Sequence, residues 1–293
     1  MVAGSVSQLP EGVPDLGVES RAGWETVTVL ITVKAYPVIG QKTGESVCVA
    51  GARLDGPRPE WIRLFPVPFR ELPAGRQFRK YAIVQVRAQR GKGSDRRPES
   101  LRPDLGSLQV GPVISTERDW RARWSLIGSL AGEVTTCQLA EAARDAGQAA
   151  PSLGLVRPVE VLDVEARGNP DYQSSTGVAE IPDVDLFGTE RRPLEATPFI
   201  LKYRYRCADC RPGRMHTQTI IDWEAGQLSR RLLREGRSPG EAMEEARTKF
   251  LEIADGKKDA HFYVGNQHMH PASFLVLGVF WPPAGSRPAD RLF

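Results

Sequence analysis

Cysteine, histidine and methionine are scarce in this chain, with four of each among 293 residues. Four cysteines in so long a chain are too few for a disulfide scaffold. No uninterrupted apolar run approaches the roughly 18–20 residues that a membrane-crossing helix needs. The opening Met1–Gln8 has no basic stretch followed by an apolar core, so it does not read as a secretory signal. These absences predict a cytoplasmic protein with reduced cysteines and no membrane partner. Several motifs are missing as well: G-x-x-x-x-G-K-[ST], G-x-G-x-x-G after a strand, H-E-x-x-H and G-x-S-x-G. Their absence argues against nucleotide-driven motors, dinucleotide oxidoreductases, zincin proteases and α/β-hydrolases.

Hydrophobic residues make up 41% of the chain, enough for a sizeable core. The formal net charge of +3 is too mild to establish a polyanion partner by itself, so the distribution of charge matters more. Lysines are few and the basic residues are mostly Arg, whose planar fork suits phosphates and guanine edges. A GC-rich genome would produce the same bias with no function attached.

The predicted fold class is α+β: a β-rich, barrel-like N-terminal part, then a mixed α+β part with a Cys-x-x-Cys hairpin knuckle. Residues 1–23, rich in Gly, Pro, Ser and Glu, read as a disordered leader. In 24–115, Val27, Val29, Ile31 and Val33 alternate on one face of a strand, and Ser46–Ala50, Trp61–Phe65 and Ala82–Ala88 are further strands. Short strands at near-regular spacing suggest a small barrel or a strongly curved sheet. Arg87–Arg102 reads as a long, flexible, basic loop. Residues 116–168 form a helical and connecting segment, in which Thr135–Gln138 fits a capping box. Residues 169–198 read as a loop or linker.

The segment 199–293 is predicted as an α+β domain. Phe199, Leu201, Tyr203 and Tyr205 share one strand face, and Lys202, Arg204 and Arg206 the other. Thr217–Trp223 is the return arm. Ser238–Glu241 is a second capping box, with Pro at the first helical position, opening a helix to Ala254. Ala260–Val264 and Ser273–Phe280 are strands, the last continuously apolar and read as central.

Cys207, Cys210 and His216 lie in one short stretch. A tight turn lets both sulfurs face one point, and thiolates are preferred zinc ligands. A structural zinc site needs four ligands. His268 is taken as the fourth, with His261, His270, Asp209, Cys48 and Cys137 as alternatives. The plainer reading makes the cysteines half-buried turn residues.

Asp222 and Glu224, two apart on a predicted strand, could share a Mg²⁺ ion with Asp259 in a metal-dependent nuclease. The plainer reading has them cap a following helix or form ion pairs. Trp61, Arg63, Arg70, Arg79 and Lys80 interleave aromatic and basic side chains. With Arg90, Lys92, Arg96, Arg97, Arg204 and Arg206 they are the candidate contacts for nucleic acid, through phosphate pairing and base stacking. The favoured reading is therefore a nucleic-acid-binding protein, of DNA or RNA, with a structural zinc. The rivals are the nuclease and a protein-interaction subunit whose arginines only solubilise it.

Overall fold

Strands begin at Glu25, and in the computed structural model they close on themselves. Described are residues 23–40, 44–91, 93, 95–175, 183–184, 190–191 and 196–288. The predicted leader, apart from Gly23, and most of 176–195 lie outside them. The first strands are β1 (Glu25–Lys34), β2 (Val38–Gly40), β3 (Gly44–Arg53), β4 (Glu60–Val67), β5 (Ala82–Gln89) and β6 (Ser100–Val113). The ladder runs β1-β5-β6-β4-β3, and β3 pairs back onto β1, which completes a five-stranded barrel. β4 and β6 are parallel and the other pairs antiparallel, giving a Greek-key barrel of the OB kind.

Val27, Val29 and Ile31 point into the barrel with Val49, Ile62, Leu64, Val84 and Val86. Val33 does not join them. The β1–β3 register shifts between Ile31 and Val33, and this irregularity turns Val33 to the outer face beside Leu30.

Beyond the barrel come α1 (Glu117–Ile127), α2 (Thr136–Ala146), β7 (Leu153–Val156), β8 (Glu160–Gly168) and α3 (Pro170–Ser175). Next are β9 (Asp183–Val184), β10 (Glu190–Arg191), β11 (Phe199–Arg206), β12 (His216–Thr219) and α4 (Trp223–Arg234). α5 (Pro239–Ile253), β13 (His261–Gln267) and β14 (His270–Phe280) end the series. Two three-stranded sheets result, β12-β11-β8 and β14-β13-β7. Both predicted capping boxes form, Thr135 with Gln138 and Ser238 with Glu241.

β14 is an edge strand and β13 the central one. The apolar run of β14 has another cause: both of its faces are covered. Leu277 and Phe280 pack toward the barrel, and Phe274, Val276 and Val279 join the core beneath the helices. Continuous apolarity reports burial of both faces, not a central place in the ladder.

The outer face of the barrel meets this sheet. Leu30, Ala50, Ala52, Tyr81 and Ile83 pack on Leu153, Leu155, Tyr263, Leu277 and Phe280. Trp61 stands edge-on to Tyr263 at 6.2 Å. α1 opens with Arg118, Asp119 and Trp120 in the left-handed region, at φ 51°, 54° and 65°. Each costs about 1–2 kcal/mol. That turn wedges the buried Trp120 ring among Tyr81, Phe280 and Trp281.

Candidate metal centre

α2 starts at the right place because Thr135 caps it. The Thr135 hydroxyl accepts from the Gln138 N–H and donates to Asp209 Oδ2 at 2.8 Å. This sets Cys137 in the first helical turn, facing the connection between β11 and β12. Within that connection, the Cys210 N–H donates to the Cys207 carbonyl at 3.2 Å and the Cys207 N–H to Cys210 Sγ at 3.4 Å, so both sulfurs turn one way. His216 begins β12 opposite Tyr205, its ring 5.1 Å from the Tyr205 ring.

Four side chains meet here: Cys137, Cys207, Cys210 and His216, their ligand atoms all within 4.8 Å of one another. The Cys207 and Cys210 sulfurs are 3.6 Å apart, and those of Cys137 and Cys210 4.0 Å. His216 Nε2 lies 3.3 Å from Cys207 Sγ and 3.5 Å from Cys137 Sγ. Zn–S bonds near 2.3 Å and Zn–N bonds near 2.0–2.1 Å, set tetrahedrally, demand about 3.8 Å between sulfurs and about 3.6 Å from sulfur to nitrogen. The spacing fits a Cys₃His zinc set. It is far too long for a disulfide bond, and all four cysteines of the chain are free thiols.

The electrostatics favour a cation. Burial raises the Cys207 thiol, but hydrogen bonds from the backbone of Cys137 and Asp209 and from the neighbouring thiols more than offset it, holding it below its ordinary range. Burial, then the other two cysteines, push Cys137 up to about 12, and burial raises Cys210. One thiolate forms readily and resists the next two. A divalent ion removes that repulsion. Burial lowers His216, which leaves its imidazole neutral and able to ligate.

Of this group, Cys207, Cys210 and His216 are named from the sequence, with His268 preferred over Cys137 as the fourth member. His268 lies elsewhere, in the turn between β13 and β14: its carbonyl accepts from Gln148, and its Nδ1 is 3.8 Å from Asp95. Cys137 completes the set instead. Its signal was a cysteine in the first turn after a capping box, 70 residues before Cys207. Chain distance hid the contact.

The carboxylates do not form a metal pair. Asp222 is the N-cap of α4, a helix announced by Asp222 before Ala225, Leu228, Ser229 and Leu232 at helical spacing. Its carboxylate lies 3.0 Å from Lys80 Nζ, which also reaches Glu224 at 3.2 Å. Burial opposes the Lys80 charge; Asp222 and Glu224 more than offset that and keep it protonated. Gly278 makes room, since a Cβ there would sit 3.0 Å from Asp222 Oδ2 and 3.1 Å from Lys80 Nζ. Asp259 pairs with Arg157 and accepts, through its carbonyl, from His261 Nδ1. Among the described residues, the Cys₃His set is the one metal-competent cluster.

The basic candidates divide. Arg63 is 3% exposed and donates to Ser152 O and Oγ and to Cys48 Sγ. Lys80 is buried in the seam, and Trp61 packs on Tyr263. Arg97, far from lying in a free loop, is buried, with a bidentate bond to Asp95 and another to Asn266 O. Arg70 pairs with Glu45, Arg204 with Glu165 and Arg206 with Glu160. Arg79, Arg90 and Arg96 are exposed. Lys92 lies outside the described residues.

A small Greek-key barrel joined to an α+β unit with a Cys₃His set defines the class of this protein. The chain belongs to the family described as Domain of unknown function (DUF8757), which matches residues 132–293. Residues 25–129, which hold the barrel, match a second family, Domain of unknown function (DUF8758). No curated protein matches the chain. No helix among the described residues is long and apolar enough to cross a membrane.

Proposed function

We propose that this is a nucleic-acid-binding protein of a reducing, cytoplasmic compartment, with zinc as a structural brace. One observation carries the reading: the pinned basic connection between β5 and β6. Arg97 anchors it in the seam, while Arg90 and Arg96 stay exposed, and Arg102 stands on β6 opposite Gln89 at the same barrel end. In OB-type barrels the loop between the fourth and fifth strands is one of the elements that grip oligonucleotides. The β3–β4 face, the other usual contact, is taken up here by Tyr263 and Ser152. Binding therefore falls to the loop end. A bound zinc would cross-link α2 to the β11–β12 connection, and with four protein ligands it leaves no open position for chemistry.

The test combines metal analysis of purified protein with fluorescence anisotropy on labelled single- and double-stranded DNA and RNA across a salt series. Stoichiometric zinc and saturable binding that weakens with salt are expected. Arg96→Ala with Arg102→Ala should weaken binding about tenfold at low salt and flatten the salt slope by about two phosphate contacts. Absence of binding to every probe at low salt would sink the reading.

A further inference from the structure

A groove lies at the junction of the two parts, apart from the metal set and from the β5–β6 loop. It encloses about 310 Å³, at the lower end of small-molecule sites. Ile200, Ile221 and Ala225 give it an apolar floor, and Tyr36 of the barrel forms a wall. α4 approaches that wall closely: a Cβ on Gly226 would lie 3.0 Å from the Tyr36 ring.

Its charge is unbalanced. Arg167 on β8 and Lys202 on β11 both line the groove. Ile200 pairs with Arg167 and Lys202 with Glu165, so the two cations are diagonal neighbours on one sheet face. Neither has an ion-pair partner among the described residues. Glu165 is held by Arg204, and Asp222 at the groove floor is neutralised by Lys80. Thr219 adds a hydroxyl, as does Thr197, whose oxygen accepts from Asn169 Nδ2 at 3.4 Å, whereas the Ser229 hydroxyl donates to the Ala225 carbonyl.

We propose that this groove binds a phosphate monoester with an apolar or heterocyclic body. Two adjacent unpaired cations match the near-dianionic charge of a phosphate monoester at neutral pH better than the single charge of a carboxylate. The guanidinium supplies a bidentate fork and the ammonium a point charge. The hydroxyls serve the remaining oxygen, and the body lies on the isoleucines. Such a group comes either as a free nucleotide or as the 5′ end of a strand.

The experiment is a titration of the full chain, followed by thermal shift and calorimetry. The probes are adenosine 5′-monophosphate, adenosine, and a short oligonucleotide with either a 5′-phosphate or a 5′-hydroxyl. Saturable binding of the monophosphate with none of adenosine supports the site for a free nucleotide. Preference for the 5′-phosphorylated strand alone supports it for a strand end. In either case Arg167→Ala with Lys202→Ala should weaken binding at least about tenfold and leave the melting of the unliganded protein unchanged. Arg96→Ala with Arg102→Ala should leave binding of the monophosphate intact, which separates this site from the β5–β6 loop. No saturable binding of either phosphate probe, equal binding of adenosine, or unchanged affinity in the Arg167/Lys202 double variant would overturn it.

Discussion

The barrel closes through the β1–β3 pairing and fills its interior with Val, Ile, Leu and Phe side chains. The C-terminal part has two open three-stranded sheets, and its connection from Cys207 to Met215 rests on α2 through four metal-competent side chains and the Thr135–Asp209 bond. One part closes its own strand ladder around an apolar interior and packs its outer face against the other. The other gathers three thiols and an imidazole with their ligand atoms within 4.8 Å of one another, close enough to hold a metal ion. A closed sheet and a metal-competent cluster predict different vulnerabilities.

Chelation should expose the difference most strongly. Stripping a bound ion, or replacing Cys207 or Cys210 by Ser, should couple metal loss to folding and cost on the order of 5 kcal/mol. Hydrogen exchange should show α2, β11 and β12 losing protection while β1 and β5 keep theirs. Equal loss in both parts would show that the two do not differ in this way; so would unchanged protection with no stoichiometric metal.

The seam between the parts comes next. Lys80→Met strands the Asp222 carboxylate, which is 4% exposed, without its partner. A buried charge left alone costs about 3–5 kcal/mol. Adding Asp222→Asn removes the charge while an Asn still caps α4, so the double variant should be more stable than Lys80→Met alone. Urea denaturation of the three proteins checks the order. A double variant no better than the single would mean that the ion pair is not what binds the seam.

How much of this was legible in the residues follows from the range of the interactions. Both capping boxes and the alternation of Phe199 to Arg206 are local, and each was readable. β14 announced its burial but not its place, because apolarity reports covered faces and not neighbours. Cys137 was only one of several alternatives for the fourth ligand, and Lys80 was opaque in role: their partners lie 70 or more residues away, and nothing local singles out the contact. Arg97 looks in sequence just like Arg96. Only the fold tells that one is an anchor and the other faces solvent, and a run of basic residues carries no sign of which will pair.

That adjacent pair supplies the finest test. Arg97→Ala should cost about 2–3 kcal/mol, since it strands Asp95 and the Asn266 carbonyl. Arg96→Ala, whose side chain is exposed, should stay within about 0.5 kcal/mol while weakening nucleic-acid binding. Acid titration adds a second readout. Burial opposes the Asp95 charge, and the Arg97 guanidinium more than offsets it, holding the carboxyl at about 2. A carboxyl whose folded value is depressed contributes stability above its unfolded value, near 3.9, and that contribution is lost as pH falls through the folded one. Wild type and Arg96→Ala should both lose this increment between about pH 4 and pH 2. Arg97→Ala has none to lose, so its stability curve should run closer to wild type at pH 2 than at pH 6. Parallel curves across that window would show that Asp95 and Arg97 do not act as a pair.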